Sequence, residues 1–244
     1  MHEHTLDTDT LEGLTDPEQV RMVAAFLEPL KADAELLLFI SPTCGVCPHQ
    51  VQSAATVALA SPRVVLEIVD TTQEPRLANE YEVRAVPTTV VDDELVMTGV
   101  VAPVDLALLI VERQGPEEAR RVFRWLVGNG RTTAAAERLA DGRGTAAFLE
   151  LWTSAEREGR ASLLAVAREA PLYNPFGLGE LVAGAVDALE SGDGLSADPR
   201  WREDTADLLA ALGDDDARPA LERLLHDPDP DVAGAAEEAL DALD

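Results

Sequence analysis

Cysteine is close to absent from this chain. Cys44 and Cys47 are the only two in 244 residues. Two are too few for a fold stapled by disulfides. Lysine is scarcer still: Lys31 stands alone, and the remaining Lys/Arg positions are all arginine. No apolar run approaches the length of a membrane span, so no membrane partner is expected. The start, Met1-His2-Glu3-His4, has no basic region followed by an apolar stretch. No secretory signal is read there, and a cytoplasmic, thiol-reducing setting is expected.

Positive charge is the other shortage. There are 46 Asp and Glu against 19 Lys and Arg, a net charge of −27. Residues 1–113 hold 19 acidic and 6 basic residues, net −13; the remainder holds 27 and 13, net −14. The acidity is therefore spread over both halves and is no acidic tail. A field of that sign repels phosphate backbones, so nucleic acid is not expected as a partner. Two explanations stand. One is a halophilic adaptation to a salty cytoplasm, where screening relieves self-repulsion; the other is an acidic proteome that prefers arginine.

What the chain does have is 46% hydrophobic residues, enough for a core, arranged in two grammars. The first half alternates helical and strand patterns. Helical spacing runs over 17–30, with Thr15-Asp16 as caps and Pro17 in the first turn. A buried strand is expected at 35–40, a helix at 47–60, a strand at 64–69 and a short helix at 74–81. Strands at 88–91 and 95–98 flank Asp92-Asp93-Glu94 as a hairpin, and a helix at 103–112 closes the series. Parallel strands come first and an antiparallel hairpin last, which makes a mixed sheet with helices for both faces.

From Pro116 onward no strand pattern appears. Helices are expected at 117–127, 132–139, 145–155, 161–170, 178–189, 200–212, 217–225 and 231–243. Asp198-Pro199 recurs as Asp229-Pro230, and Leu209, Ala211 and Leu212 then map onto Leu240, Ala242 and Leu243. The stretch DDDARPALERLLHDPDPDVAGAAEEALDAL resembles a HEAT-type helical pair; an irregular bundle is the alternative. The expected organisation is a tail at 1–14, an α/β domain at 15–113 and an all-α HEAT-like domain at 116–244.

Both cysteines fall in TCGVCPHQ, directly after the first strand and at the start of a helix. Unpaired N–H groups and the helix dipole favour an anion there, and the thiolate is the reactive form of cysteine. Cys47 sits one turn below Cys44, within reach of its sulfur. Pro48 is tolerated because first-turn N–H groups lack a helical partner. Far along the chain, Arg84-Ala85-Val86-Pro87-Thr88 precedes the hairpin's first strand.

With these two features the chain resembles the thioredoxin superfamily over most of 15–112. The nearest likeness is to its glutaredoxin-like branch, carried by LLLFISPTCGVCPHQVQSA and SPRVVLEIVDTTQEPRLANEYEVRAVPTTVVDDELVMTG. These stretches are similar to the N-terminal thiol domain of alkyl hydroperoxide reductase flavoproteins and to archaeal protein disulfide oxidoreductases. The resemblance implies a thioredoxin-like fold with a cis Val86–Pro87 peptide facing the cysteines. It implies substrate contacts at Thr43, Val86, Pro87 and Thr88, with Gly99 on the same surface. Thr43 stands where thioredoxins carry tryptophan, and the apolar strand 36–40 offers no counterpart to their buried carboxylate.

Under this expectation Cys44 is the nucleophile and Cys47 the resolving thiol of a protein disulfide oxidoreductase acting on a disulfide-bearing protein. No Gly-rich dinucleotide fingerprint is visible, so no cofactor is expected and electrons come from a separate reductase or small thiol. A structural zinc site wants four ligands; Cys44, Cys47 and His49 supply three, so no metal is expected. The competing class is an interaction scaffold built on the helical half, with a redox-dormant first half.

Overall fold

The structure, a computed structural model, describes residues 12–191 and 195–244. His2 and His4 of the expected 1–14 tail lie outside the described residues. The chain forms two compact units, up to Glu118 and from Ala119. Among the described residues no helix is long and apolar enough to cross a membrane.

The first unit begins with α1 (Pro17–Leu27), whose N-cap Asp16 accepts the Glu18 N–H, with proline in the first turn. The 3.6-residue apolar pattern runs on to Leu30, but the helix stops at Leu27: Glu28 still has helical geometry and bonds the Ala24 carbonyl, and Pro29 then has no N–H to continue the ladder. Leu30 is buried nonetheless. Then follow β1 (Ala34–Ile40), α2 (Cys47–Ala60), β2 (Val64–Asp70), α3 (Pro75–Glu80), β3 (Thr88–Val91), β4 (Leu95–Thr98) and α4 (Pro103–Glu112). The sheet order is β2-β1-β3-β4. β1 runs parallel to β2, with Leu36 beside Leu66, and antiparallel to β3, with Leu38 beside Thr89. β3 and β4 form the expected hairpin.

Side chains alternate across a strand, so β1 has two faces. Leu37 and Phe39 join Val69, Val90 and Ala78 in a cluster covered by α3. Leu36 and Leu38 point the other way, toward α2, and α1, α2 and α4 pack together on that side. β3 is central and all four of its residues are buried. β4 is an edge and alternates half-buried with exposed positions.

The second unit is helical: the rest of α5 (Pro116–Gly128), then α6 (Thr132–Ala140), α7 (Thr145–Ser154), α8 (Arg157–Glu169), α9 (Gly179–Glu190), α10 (Pro199–Leu212), α11 (Arg218–Leu224) and α12 (Pro230–Leu243). Its core holds Phe123, Phe148 and Trp152, with Phe148 and Trp152 stacked at 5.9 Å between ring centroids. Trp152 donates to Thr205 at 3.1 Å. The two Asp-Pro steps are built alike: Asp198 accepts the Arg200 N–H and Asp229 the Asp231 N–H, and the helices they start, α10 and α12, pack together. α8 begins a turn earlier than the apolar pattern indicates, because Arg160 on that turn is buried by a 2.7 Å ion pair to Asp204. Pro171 turns the chain after Glu169, and Ala170 opens a 3-10 turn instead of ending α8.

Candidate active site

The site is built at the C-terminal end of β1. The strand delivers the chain into Ser41–Pro42–Thr43, and the Cys44 N–H bonds the Ser41 carbonyl at 3.1 Å. α2 then starts at Cys47. Its N-cap residue, Val46, supplies no side-chain acceptor. Cys44 Sγ takes that place and accepts the Cys47 N–H at 3.1 Å. A sulfur held at a helix start by an N–H donor is favoured in its anionic form once reduced. The two cysteines are joined by a disulfide with Cα atoms 5.5 Å apart.

The two sulfurs have different access. Cys44 is partly exposed, whereas Cys47 is 3% exposed. The cause is the helical period: Cys47, Gln50, Ala54 and Val57 recur on one face of α2 and all are buried. Cys44 precedes the helix and escapes that stripe.

Opposite lies the segment leading into β3. The Val86–Pro87 peptide is cis. The Val86 carbonyl oxygen is 3.6 Å from Cys44 Sγ. Pro87 is buried, and its carbonyl accepts the Gly99 N–H at 2.8 Å, which brings Gly99, at φ +100°, to the same corner. Only glycine holds such a φ without strain. Thr43 is exposed, its hydroxyl 3.1 Å from that of Ser41. Thr88 is placed differently: it is buried, its hydroxyl donates to the Ala85 carbonyl at 2.8 Å, and its backbone lies between Phe39 and Thr98. It braces the 85–87 segment from beneath.

Cys44, Cys47, Val86, Pro87 and Gly99 thus come together from three separate stretches of chain. His49 is exposed on α2. Among the described residues no group of three or more His, Cys, Asp or Glu could hold a metal ion. Gln50, Thr89 and Ser53 are polar residues outside the expected site, yet all are buried here. Gln50 donates to Thr89 Oγ1 at 2.9 Å and accepts the Val101 N–H at 2.7 Å. Ser53 donates to the Val101 carbonyl at 2.5 Å. The available signal was one amide inside an otherwise apolar helical stripe.

Comparison with known families matches residues 35–111 to a thioredoxin domain. No curated protein matches the chain. Among solved structures the chain is similar to the N-terminal domain of alkylhydroperoxide reductase AhpF from Enterococcus faecalis, at 23% identity over 39% of this chain and 44% of that one, with a TM-score of 0.34. It is also similar to a protein disulfide oxidoreductase from Aeropyrum pernix, at 28% identity over 36% of this chain and 40% of that one, TM-score 0.34. The chain therefore spans under half the length of either structure. The first unit is thioredoxin-like, on the matched residues together with its mixed sheet and the cysteine pair at the start of α2.

Proposed function

We propose that this protein is a thiol–disulfide oxidoreductase that reduces or exchanges disulfides of protein substrates through Cys44 and Cys47, and that its helical unit selects the partner. The observation that carries the chemistry is the asymmetry of the pair. One sulfur is reachable and held by a helix-start N–H at 3.1 Å; the other is 3% exposed and within bonding distance of the first.

In the reducing direction, the Cys44 thiolate attacks one sulfur of the substrate disulfide. That S–S bond breaks, the departing sulfur leaves as a thiolate and takes a proton from water, and a mixed disulfide forms. Cys47, once deprotonated, attacks Cys44 Sγ. The mixed disulfide breaks, the second substrate sulfur leaves as a thiolate, and Cys44–Cys47 is oxidised. Two electrons have passed to the substrate. A separate reductase or small thiol restores the dithiol, and a cytoplasmic location suits that direction. The Val86 carbonyl lies beside the reacting sulfur, and Thr43, the Val86 backbone, Pro87 and Gly99 receive the substrate segment, with Thr88 supporting them.

The helical unit, with its HEAT-type stacking over α10–α12, is the partner-selecting part in this reading, and partner selection is favoured by one surface, between α8 and α9. Leu172 is 81% exposed and Phe176 95% exposed. They are not on a slack loop. Asn174 caps the 3-10 turn at Phe176, and a Cβ on Gly177 would meet the Ala140 carbonyl oxygen at 1.8 Å, so the segment is seated tightly. Rigidly displayed apolar side chains suit a partner. The same surface supports the runner-up, a scaffold whose dithiol is unused.

Insulin reduction in the presence of dithiothreitol tests the first reading. Wild type should accelerate precipitation of the freed chains, and Cys44→Ser should return the rate to that of dithiothreitol alone. Full turnover in Cys44→Ser would remove the pair as the active site.

A further inference from the structure

We propose that Gln50 is a positioning residue for the dithiol reaction, a role that rests on the oxidoreductase reading above: its carboxamide sets the gap between Cys44 and the backbone segment that receives the substrate. Gln50 is 0% exposed and lies one helical turn beyond Cys47. Both ends of its amide are used. Nε2 donates to Thr89, two residues after Pro87, at 2.9 Å; Oε1 accepts from Val101, two residues after Gly99, at 2.7 Å. Gly99 in turn donates to the Pro87 carbonyl at 2.8 Å. These three bonds close a ring. The cysteine-bearing helix, the strand behind Val86–Pro87 and the 99–101 segment are all tied to one buried side chain.

The apolar stripe of α2 would pack against the sheet with a leucine or methionine at position 50 just as well. An amide there fixes more: it fixes register and separation, because a hydrogen bond weakens steeply with distance and angle whereas apolar contact does not. The quantity at stake is the 3.6 Å between Cys44 Sγ and the Val86 oxygen. A substrate disulfide reaches the sulfur only while its chain lies along that backbone, so displacing the backbone weakens docking of the chain before any bond is exchanged.

Gln50→Met keeps length and volume but removes both bonds. In the full-length protein we expect the KM for insulin to rise about tenfold with kcat within about twofold. Alkylation of reduced Cys44 by iodoacetamide needs no docking and should stay within about twofold of wild type, because the Cys47 N–H donor is untouched. Gln50→Glu is of equal length; its buried carboxyl, kept protonated by desolvation, can accept from Val101 and donate to Thr89 as the amide does, and should recover most of the KM. If Gln50→Met proves unfolded, Thr89→Val cuts the same tie from the strand side and should raise KM likewise. An unchanged KM in a folded Gln50→Met or Thr89→Val protein overturns the proposal. So does a fall in alkylation as large as the fall in insulin turnover, which would place the damage in the cysteine loop itself. A wild-type protein unable to reduce insulin would instead refute the oxidoreductase reading, before any variant is compared.

Discussion

Ending the chain after Glu112, where the last helix of the α/β pattern stops, should give a much weaker domain than ending it after Glu118. The next six residues reach back. Gln114 Oε1 accepts the Lys31 and Ala32 N–H groups at 3.2 and 2.9 Å. Arg113 bridges Asp92 at 3.3 Å and Glu94 at 2.7 Å, at the hairpin tip. Lys31 pairs with Glu118. Each net hydrogen bond contributes about 1 kcal/mol. The half-buried Arg113 pairs contribute about 1 kcal/mol together, and the exposed end of the Lys31 pair keeps its share below that. Glu118 counts least, because a chain ending there retains only the first turn of α5. The longer form should be more stable by about 3 kcal/mol, out of the roughly 5–15 usual for a domain. With a urea m-value of about 1.5 kcal/mol per M, the midpoint should differ by about 2 M. Urea unfolding of chains 1–112 and 1–118, followed by circular dichroism, measures this. Midpoints within about 0.3 M of each other would show that Arg113 and Gln114 do not tie the joint to the first unit. Both forms should reduce insulin when folded.

Three further outcomes follow from the charge and surface of the molecule. If the net charge of −27 is a halophilic trait, Tm should climb steeply between low and molar salt; a Tm flat with salt would leave an ordinary acidic protein. Burial first, then Asp204 and Glu203, push the Asp207 carboxyl above its usual 3.8. A raised value in the folded state means the stabilising, protonated form is complete below pH 3.8 and lost as pH rises through the folded value. Asp207→Asn should therefore raise Tm at pH 7, with the advantage gone near pH 3; a lower Tm at pH 7 would contradict this. Leu172→Ser with Phe176→Ser should leave insulin turnover unchanged but abolish binding to whichever substrate is trapped on Cys44 in a Cys47→Ser protein, as measured by titration calorimetry with the purified partner.

Most elements could be read because their signals are local. The strand β1 is a short apolar run, α2 opens on Cys47-Pro48, and the hairpin is marked by Asp92-Asp93, both at positive φ. The corner holding Cys44 and Val86 came from a resemblance and not from periodicity, since 42 positions separate them. Gln50 escaped notice because its partners lie 39 and 51 positions away, and nothing near it in sequence asks for an amide. Arg160 escaped for the same reason: a charged residue reads as surface until Asp204, 44 positions on, is placed against it. The burial of the Thr88 side chain is not legible either, because a single sequence does not show that its strand is central and buried on both faces. Local pattern fixes elements; long-range polar pairs decide which charged and amide groups go inside.

The charge distribution around the cysteines makes a last test. Between Leu36 and Leu66 there is no Asp or Glu, in a chain that has 46. Burial explains part of that, but the exposed positions of the loop and first helical turns are Pro42, Thr43, Gly45, Val46, Pro48, His49 and Gln52, and none is acidic. A carboxylate about 4 Å from a thiolate raises its energy by about 1 kcal/mol even in a water-like dielectric. That lowers the thiolate population about fivefold near its titration point. A redox sulfur in so acidic a protein therefore needs a neutral rim. Val46→Glu should slow iodoacetamide alkylation of reduced Cys44 about three- to tenfold at low ionic strength, relative to Val46→Gln. The gap should close in 1 M salt, where screening acts over about 3 Å. Misfolding does not mimic this result, because an acidic side chain at a helix N-terminus stabilises the helix. Equal rates for the two variants at low salt would mean that the missing acids have nothing to do with the sulfur.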